Sequence, residues 1–186
     1  MLRLALILAL WPALVAAETW RVDLDQTEIR TEVTYLGRAK LGVEFTRFAA
    51  AVAFDDAKVG ATQAEIAVAT SSARTGLGWI DALIRSEDYL NSAQHPEIRF
   101  RLDRLQQTSP STARLTGAGT LLGVTQPLVL DATVFKFGDA AGGHREAGFN
   151  ITGTLDRRQF GNQTGFPQVS ADLPLNIRLV LTTRAL

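Results

Sequence analysis

The amino-acid sequence predicts an all-β fold, an antiparallel barrel or sandwich of about eight strands. Apolar and polar residues alternate with a period of two along most of the chain, which is typical of strands with one buried and one solvated face. Clusters of Gly, Pro, Asp and Ser separate most of these runs, as turns between strands require. The 186 residues include no cysteine, so a packed core rather than disulfides must stabilise the fold.

Residues 1–17 are predicted to be a secretory signal peptide. Arg3 gives a positive start, Leu4–Leu10 is unbroken apolar sequence, and Val15–Ala17 supplies the small residues of a cleavage site before Glu18. An uncleaved membrane anchor is the alternative, but the apolar run is shorter than the roughly 20 residues that span a bilayer. We therefore expect export to the periplasm and a mature chain, residues 18–186, that forms a single domain.

The alternating pattern places the strands in order along the chain. It is clearest in the last segment, where every second residue from Leu173 to Leu181 is apolar. A strand with one buried and one wet face has this pattern. The same alternation predicts strands at 29–35, 43–45, 64–68, 98–102, 115–121, 128–137 and 149–155.

One segment, near residues 77–91, has the spacing of a short helix instead. Ile80, Leu83 and Ile84 recur at helical intervals, and Asp81 and Arg85 are placed for an i,i+4 ion pair. Ser86 is a candidate cap for a following turn. We expect this segment to lie across the sheet or over the mouth of a barrel.

Composition excludes several classes of function. Loss of Arg3 with the signal peptide would leave 18 basic and 19 acidic residues, a balance that does not favour nucleic acid. Thiol catalysis and thiolate metal sites need cysteine. The glycines at 117, 119 and 123 lie within a strand pattern and open no helix, so they do not indicate a dinucleotide loop.

Two histidines, His95 and His144, are the only ones in the chain. Neither has carboxylates at metal-ligand spacing, so no metal site is predicted and solvated loop positions are favoured. The chain also lacks the Gly-x-Ser-x-Gly motif of many hydrolases. A dispersed catalytic triad would have to use one of these histidines, because its members meet only in space.

Residues 156–161 combine charge with one embedded aromatic, Phe160. The favoured interpretation is a strand that ends in a turn, with Arg157 paired to a carboxylate on a neighbouring strand. Direct contact of this segment with a ligand is the alternative. The aromatic residues leave a second question open, because an eight-stranded barrel can be filled by its side chains or enclose one elongated ligand.

Three segments carry a resemblance to a known family: 86–100, 117–130 and 155–161. In order and spacing they resemble the YceI-like family, lipocalin-like proteins that bind polyisoprenoid lipids in the bacterial envelope. The resemblance implies an eight-stranded lipocalin-like barrel with a long apolar cavity, and non-catalytic binding of a quinone or polyprenyl chain. This chain departs from the family where Gln26-Thr27 replaces a usual His-Ser pair, and where Tyr35 or Leu36 replaces a second histidine.

On this resemblance we predict a ligand tunnel, and a lid formed by residues of the helical segment. No catalytic residue and no cofactor other than a bound isoprenoid lipid is expected. A homodimer and a transient membrane contact remain open, as do two alternative functions: an envelope hydrolase, and a ligand-free barrel that docks a membrane electron-transfer partner. The predicted ligand-binding residues are Val33, Phe45, Ile66, Phe100, Phe135 and Ile177 in the tunnel, and Trp79, Ile80, Leu83 and Leu90 in the lid.

Overall fold

The structure, a computed structural model, describes residues 19–184, so the predicted signal peptide lies outside the described residues. Antiparallel strands make up most of the chain, with one short α-helix between the sixth and seventh. Their bounds are β1 (Arg21–Val22), β2 (Glu28–Tyr35), β3 (Ala39–Phe45), β4 (Phe48–Ala53), β5 (Gln63–Ala69), β6 (Ala73–Arg74), α1 (Gly78–Arg85), β7 (Glu97–Ser109), β8 (Thr112–Leu121), β9 (Val124–Ala140), β10 (His144–Asp156) and β11 (Asp172–Thr182).

These strands form one curled antiparallel sheet in the order β4-β5-β7-β8-β9-β10-β11-β2-β3-β6, with β1 added beside β11. The order begins at β4 and finishes at β3 and β6. Because β3 runs directly into β4, and β5 runs through a short turn into β6, the two ends of the order are joined by the chain itself. This arrangement confirms the predicted antiparallel, barrel-like fold.

The structure has eleven strand segments rather than the predicted eight, because three long runs are interrupted. Both β1 and β2 pair with β11, β3 continues into β4, and β5 continues into β6. At the last two breaks Ser72 stabilises the bend, since its hydroxyl contacts the carbonyl oxygens of Ala69 at 2.7 Å and Arg47 at 3.3 Å. Strands at barrel corners commonly bend in this way.

The two ends of the barrel carry different elements. The helix end carries α1, the tight turns at 36–37 and 122–123, and the segment 157–171 between β10 and β11. The terminal end carries the turns at 110–111 and 141–143, and β1, which pairs with the last residues of β11. No helix within residues 19–184 combines the length and the apolar character that crossing a bilayer requires.

The helix is shorter than the segment predicted for it. It ends at Arg85 because Ser86 is extended. The Ser86 hydroxyl donates to the carbonyl oxygen of Leu83 at 2.7 Å, so it closes this helix rather than capping the turn that follows. The ion pair expected between Asp81 and Arg85 is replaced by a different contact. Arg85 Nε donates to the backbone oxygen of Asp81 rather than to its carboxylate. The Asp81 carboxylate instead accepts a hydrogen bond from the Thr75 hydroxyl at 2.7 Å, and this bond lowers the pKa of Asp81.

Gly117 in β8 is a position where only glycine fits. A Cβ built there would overlap the carbonyl oxygen of Arg101 and lie 2.7 Å from the ring of Phe100. We expect Gly117→Ala to destabilise the protein by about 3 kcal/mol, a Tm decrease of roughly 6–12 °C in thermal unfolding. Gly119→Ala is the matched control, since its Cβ would meet nothing closer than 3.5 Å. Equal Tm values for the two variants would contradict the close contact.

Candidate functional site

A cavity of about 980 Å³ runs through the interior of the barrel. At the helix end it reaches Trp79, Leu83 and Tyr89, and at the terminal end it reaches Val59 and Pro110. β8 contributes to its wall from its first residue to its last, a path of about 30 Å at 3.3 Å per residue. The cavity is therefore long and narrow, and the barrel is not filled by its own side chains.

Apolar side chains from every long strand form the wall of this cavity. Period-two alternation explains the composition, because the inward residues of each strand are the apolar ones. Such a surface suits an elongated apolar ligand and offers few polar partners along its middle. The central wall includes Ile29, Val43, Phe45, Val68, Leu115, Leu128, Leu130, Ile151, Leu175, Ile177 and Leu179.

Nine of the ten predicted ligand-binding residues lie in the wall of the cavity. α1 and the turns after it cover the helix end, where Trp79 lines the cavity and is also 73% exposed. The wall includes Val33, Phe45, Ile66, Phe100 and Ile177 from the strands, and Trp79, Ile80, Leu83 and Leu90 from the helical segment. Whether these side chains contact a ligand stays a prediction.

Phe135 is the exception, and its expected inward position is wrong. A bulge lies where the β9–β10 register shifts between Gly148 and Phe149, so the inward face of β9 changes from even to odd positions. Val134 and Phe137 line the cavity on either side of the bulge. Phe135 instead covers Gly148, with the Arg178 guanidinium 4.2 Å from its ring centroid.

A buried arginine lies at the helix end of the cavity wall. Arg157 is only 4% exposed, and its guanidinium donates to the backbone oxygens of Ser170 at 2.8 Å and Val169 at 3.0 Å. It also donates to the side-chain oxygen of Asn162 at 2.5 Å. Burial lowers the pKa of Arg157.

The predicted pairing of Arg157 with a carboxylate is wrong. Among residues 19–184 Arg157 takes part in no ion pair, whereas its exposed neighbour Arg158 pairs with Asp156 at 2.8 Å. Arg157 is held by backbone carbonyls, and it fixes the segment that closes the helix end. Its placement in the wall leaves the alternative of ligand contact open.

Sequence reasoning missed Asn162, which links Arg157 to the lid. Asn162 is buried, accepts from Arg157 and donates from Nδ2 to the backbone oxygen of Tyr89 at 2.7 Å. Its partner is 73 residues away in the chain, so no local pattern could have revealed this role. This bond ties the segment 157–171 to the turns that follow α1.

The Gln26-Thr27 pair lies at the terminal end and does not line the cavity. Gln26 donates from Nε2 to the Asp23 carboxylate at 2.8 Å, and the Thr27 hydroxyl accepts from the backbone nitrogen of Val180 at 3.1 Å. At the other position where the family pattern differs, Tyr35 lines the cavity at the helix end and Leu36 does not. Of these departures, only a replacement at Tyr35 would therefore change the surface offered to a ligand.

The two histidines lie at opposite ends of the barrel. The His95 ring lies beside Gly123 at the helix end, whereas His144 Nε2 lies 3.1 Å from a Glu146 oxygen at the terminal end. Neither ring lines the cavity. In the part of the chain that the structure describes, no three His, Asp or Glu side chains are grouped to hold a metal ion.

Glu146 is a buried carboxylate whose pKa is lowered, first by its bond from Lys136 and then by that with His144. Because the unfolded chain takes up the proton more readily, stability should fall as the pH drops below about 4.5. We expect the free energy of unfolding of Glu146→Gln, measured by denaturant titration, to fall less steeply with decreasing pH than that of the wild type. Glu28→Gln, which changes an exposed carboxylate paired with Arg30, is the control. If Glu146→Gln lost as much stability at acid pH as the wild type does, the expectation would be contradicted.

Comparison with protein families gives a match over most of the chain. The family model described as "YceI-like domain" matches residues 20–181. Among curated proteins, a UPF0312 protein of Pseudomonas savastanoi pv. phaseolicola is 37% identical over 131 residues, which is 70% of this chain and 68% of the relative.

Solved structures share the fold. BcnA of Burkholderia cenocepacia superposes with a TM-score of 0.77 at 20% identity, over 86% of this chain and 99% of that protein. A polyisoprenoid binding domain from Saccharophagus degradans, implicated in plant cell wall breakdown, gives a TM-score of 0.65 at 11% identity, over 88% and 97% of the two chains. At these identities the likeness extends to the fold and not to the ligand.

Proposed function

Since the chain belongs to the YceI-like domain family, we propose that it binds an isoprenoid lipid without covalent chemistry and carries or stores it in the periplasm. The observation that supports this most directly is the continuous apolar cavity of about 980 Å³. A quinone or a polyprenyl chain is the ligand class proposed. The signal-like sequence of residues 1–17 supports export to the periplasm.

The energetics favour a prenyl chain in such a cavity. Its volume lies at the upper end of the roughly 300–1,000 Å³ of small-molecule sites. Each buried methylene or methyl group contributes about 0.8 kcal/mol, so a chain of several isoprene units needs few polar contacts to bind tightly. Arg157, Asn162 and Tyr89 place polar atoms at the helix end of the wall, where a head group can lie near them.

The geometry gives less support to an envelope hydrolase. A general base must lie within hydrogen-bond reach of its nucleophile and of the bound substrate. His95 and His144 lie at opposite ends of the barrel and outside the cavity wall. We therefore assign binding, not turnover, to the cavity.

Native mass spectrometry of protein from a periplasmic extract tests this function. We expect a mature mass that begins at Glu18 and a stoichiometric bound lipid that organic extraction identifies as a prenyl compound. The same protein, stripped of lipid and incubated with quinones and polyprenols, should regain the bound mass. A persistent apo mass after that incubation would refute the carrier function, and a mass that begins at Met1 would refute export by cleavage.

A further inference from the structure

Exposed apolar side chains concentrate at the helix end of the barrel. Of eleven large hydrophobic residues that are exposed among residues 19–184, seven lie there. We name six of them the apolar rim: Tyr35, Leu36, Leu77, Trp79, Leu83 and Phe166. Soluble proteins rarely leave such a set uncovered unless it contacts a partner or a membrane.

Leu36 is the most informative member of this rim. The turn Tyr35–Arg38 is closed by a bond from Arg38 N to Tyr35 O at 3.1 Å, and both of its central residues, Leu36 and Gly37, have positive φ. Asn-Gly or Gly-Gly is strongly preferred in such turns, because a branched side chain is strained at φ +50°. Leu36 is 59% exposed, so packing within the protein does not repay this strain.

The turn at 122–123 has the same backbone conformation as the turn at 36–37 and can be compared with it directly. It has the same Leu-Gly sequence with φ +53° and +76°, but Leu122 packs against the core. Packing therefore explains the leucine at 122 and leaves the one at 36 unexplained. A strained, exposed leucine at a loop tip points to a contact outside the molecule.

The rim also coincides with an opening of the cavity. Tyr35, Trp79 and Leu83 line the cavity and are 51%, 73% and 41% exposed, so the cavity reaches the surface among them. Trp and Tyr are enriched where proteins meet the interface of a bilayer, and leucines insert below it. Arg38, which takes part in no ion pair among residues 19–184, adds a cation suited to anionic head groups.

We infer that the apolar rim inserts into the surface of a lipid bilayer, with Leu36 and Trp79 as its anchors and the cavity opening directed at the lipid. This inference rests on the proposed function, because the contact would let a prenyl chain pass between membrane and cavity without crossing water. Glu87 and Asp88 lie at the same end, so apolar insertion rather than net positive charge carries the binding.

Cosedimentation with vesicles of phosphatidylethanolamine and phosphatidylglycerol tests the surface. We expect the full protein to partition onto the vesicles and Leu36→Asn to weaken partitioning about tenfold. Leu24→Asn is the matched control: Leu24 is 52% exposed, lies beyond β1 at the terminal end, and should leave partitioning unchanged. Leu36 does not line the cavity, so lipid loading should be equal in all three proteins.

Thermal unfolding separates loss of binding from loss of fold. Asn is favoured at the φ of residue 36, so Leu36→Asn should raise Tm by about 2–4 °C while it weakens vesicle binding. Equal weakening by Leu24→Asn, or wild-type protein that stays in solution, would overturn the inference. A concentration-dependent dimer in light scattering that only Leu36→Asn dissolves would also overturn it, by assigning the rim to a second copy.

The same assays separate this inference from the proposed function. Protein that carries prenyl lipid in native mass spectrometry but ignores vesicles would refute the membrane surface alone. Protein that binds vesicles but takes up no prenyl compound would refute the carrier function alone.

Discussion

Gly119→Phe is expected to weaken prenyl-lipid binding about a thousandfold and to leave the barrel folded. Gly119 lies in the cavity wall, and its Cβ would meet only Leu128 and the carbonyl oxygen of Gln126, at 3.5 Å or more. The new ring therefore projects into the cavity rather than into the wall. It occupies the space of about five carbon groups of the ligand, which removes about 4 kcal/mol of binding free energy.

Titration of stripped protein with a fluorescent quinone or polyprenol analogue would measure this effect. Thr116→Phe is the matched control, because it adds the same ring to the exposed, outward face of the same strand. We expect this control to bind as the wild type does, and Gly119→Phe to keep or raise Tm, since it replaces glycine within a strand. Full binding by Gly119→Phe would place the ligand elsewhere on the protein.

Arg157→Met is expected to destabilise the protein by about 4 kcal/mol, although the substitution removes no ion pair. The guanidinium satisfies the buried carbonyl oxygens of Ser170, Val169 and Asn162 and the side-chain oxygen of Asn162. Methionine fills a similar volume but offers no donor. Each acceptor left unsatisfied costs about 1–3 kcal/mol, less where water can enter.

Urea unfolding and Tm would measure this loss, which corresponds to roughly 8–16 °C. Arg158→Met is the control at the adjacent position. Arg158 is exposed, and its contacts with Asp156 and with the exposed Phe166 ring lie at the surface, so Tm should change much less. If Arg158→Met were the more damaging of the two, the closing role assigned to Arg157 would be wrong.

The alternation of apolar and polar residues predicted most of the cavity wall, because it indicates which side chains of a strand point into the barrel. In β11, Leu175 and Ile177 point inward as their period-two pattern indicates, and Val33, Phe45 and Ile66 do the same on their strands. The pattern fails where the backbone gains a residue. The bulge beside Phe135 reverses the face of β9, and nothing in the residues 133–137 signals it.

Other features depend on contacts that join distant parts of the chain. Arg157 binds carbonyls 12 and 13 residues further along, and Asn162 binds the turn after α1, 73 residues away. Two of the three interrupted runs depend likewise on Ser72, whose hydroxyl contacts the backbone of Ala69 and that of Arg47, 25 residues away. The size of the cavity is the sum of many such placements, so composition left both an open and a filled barrel possible.

β3 and β4 follow each other along the chain at the seam where the sheet order begins and ends. On the seam side β3 pairs with β6 only through Glu44 and Phe45, and β4 pairs with β5 on its other side. The barrel is therefore closed there by the covalent chain and by side-chain packing rather than by a ladder of backbone hydrogen bonds. Backbone amides along this seam should exchange with solvent faster than those of β8 and β9, which pair on both sides, and the seam is where the barrel can widen most easily.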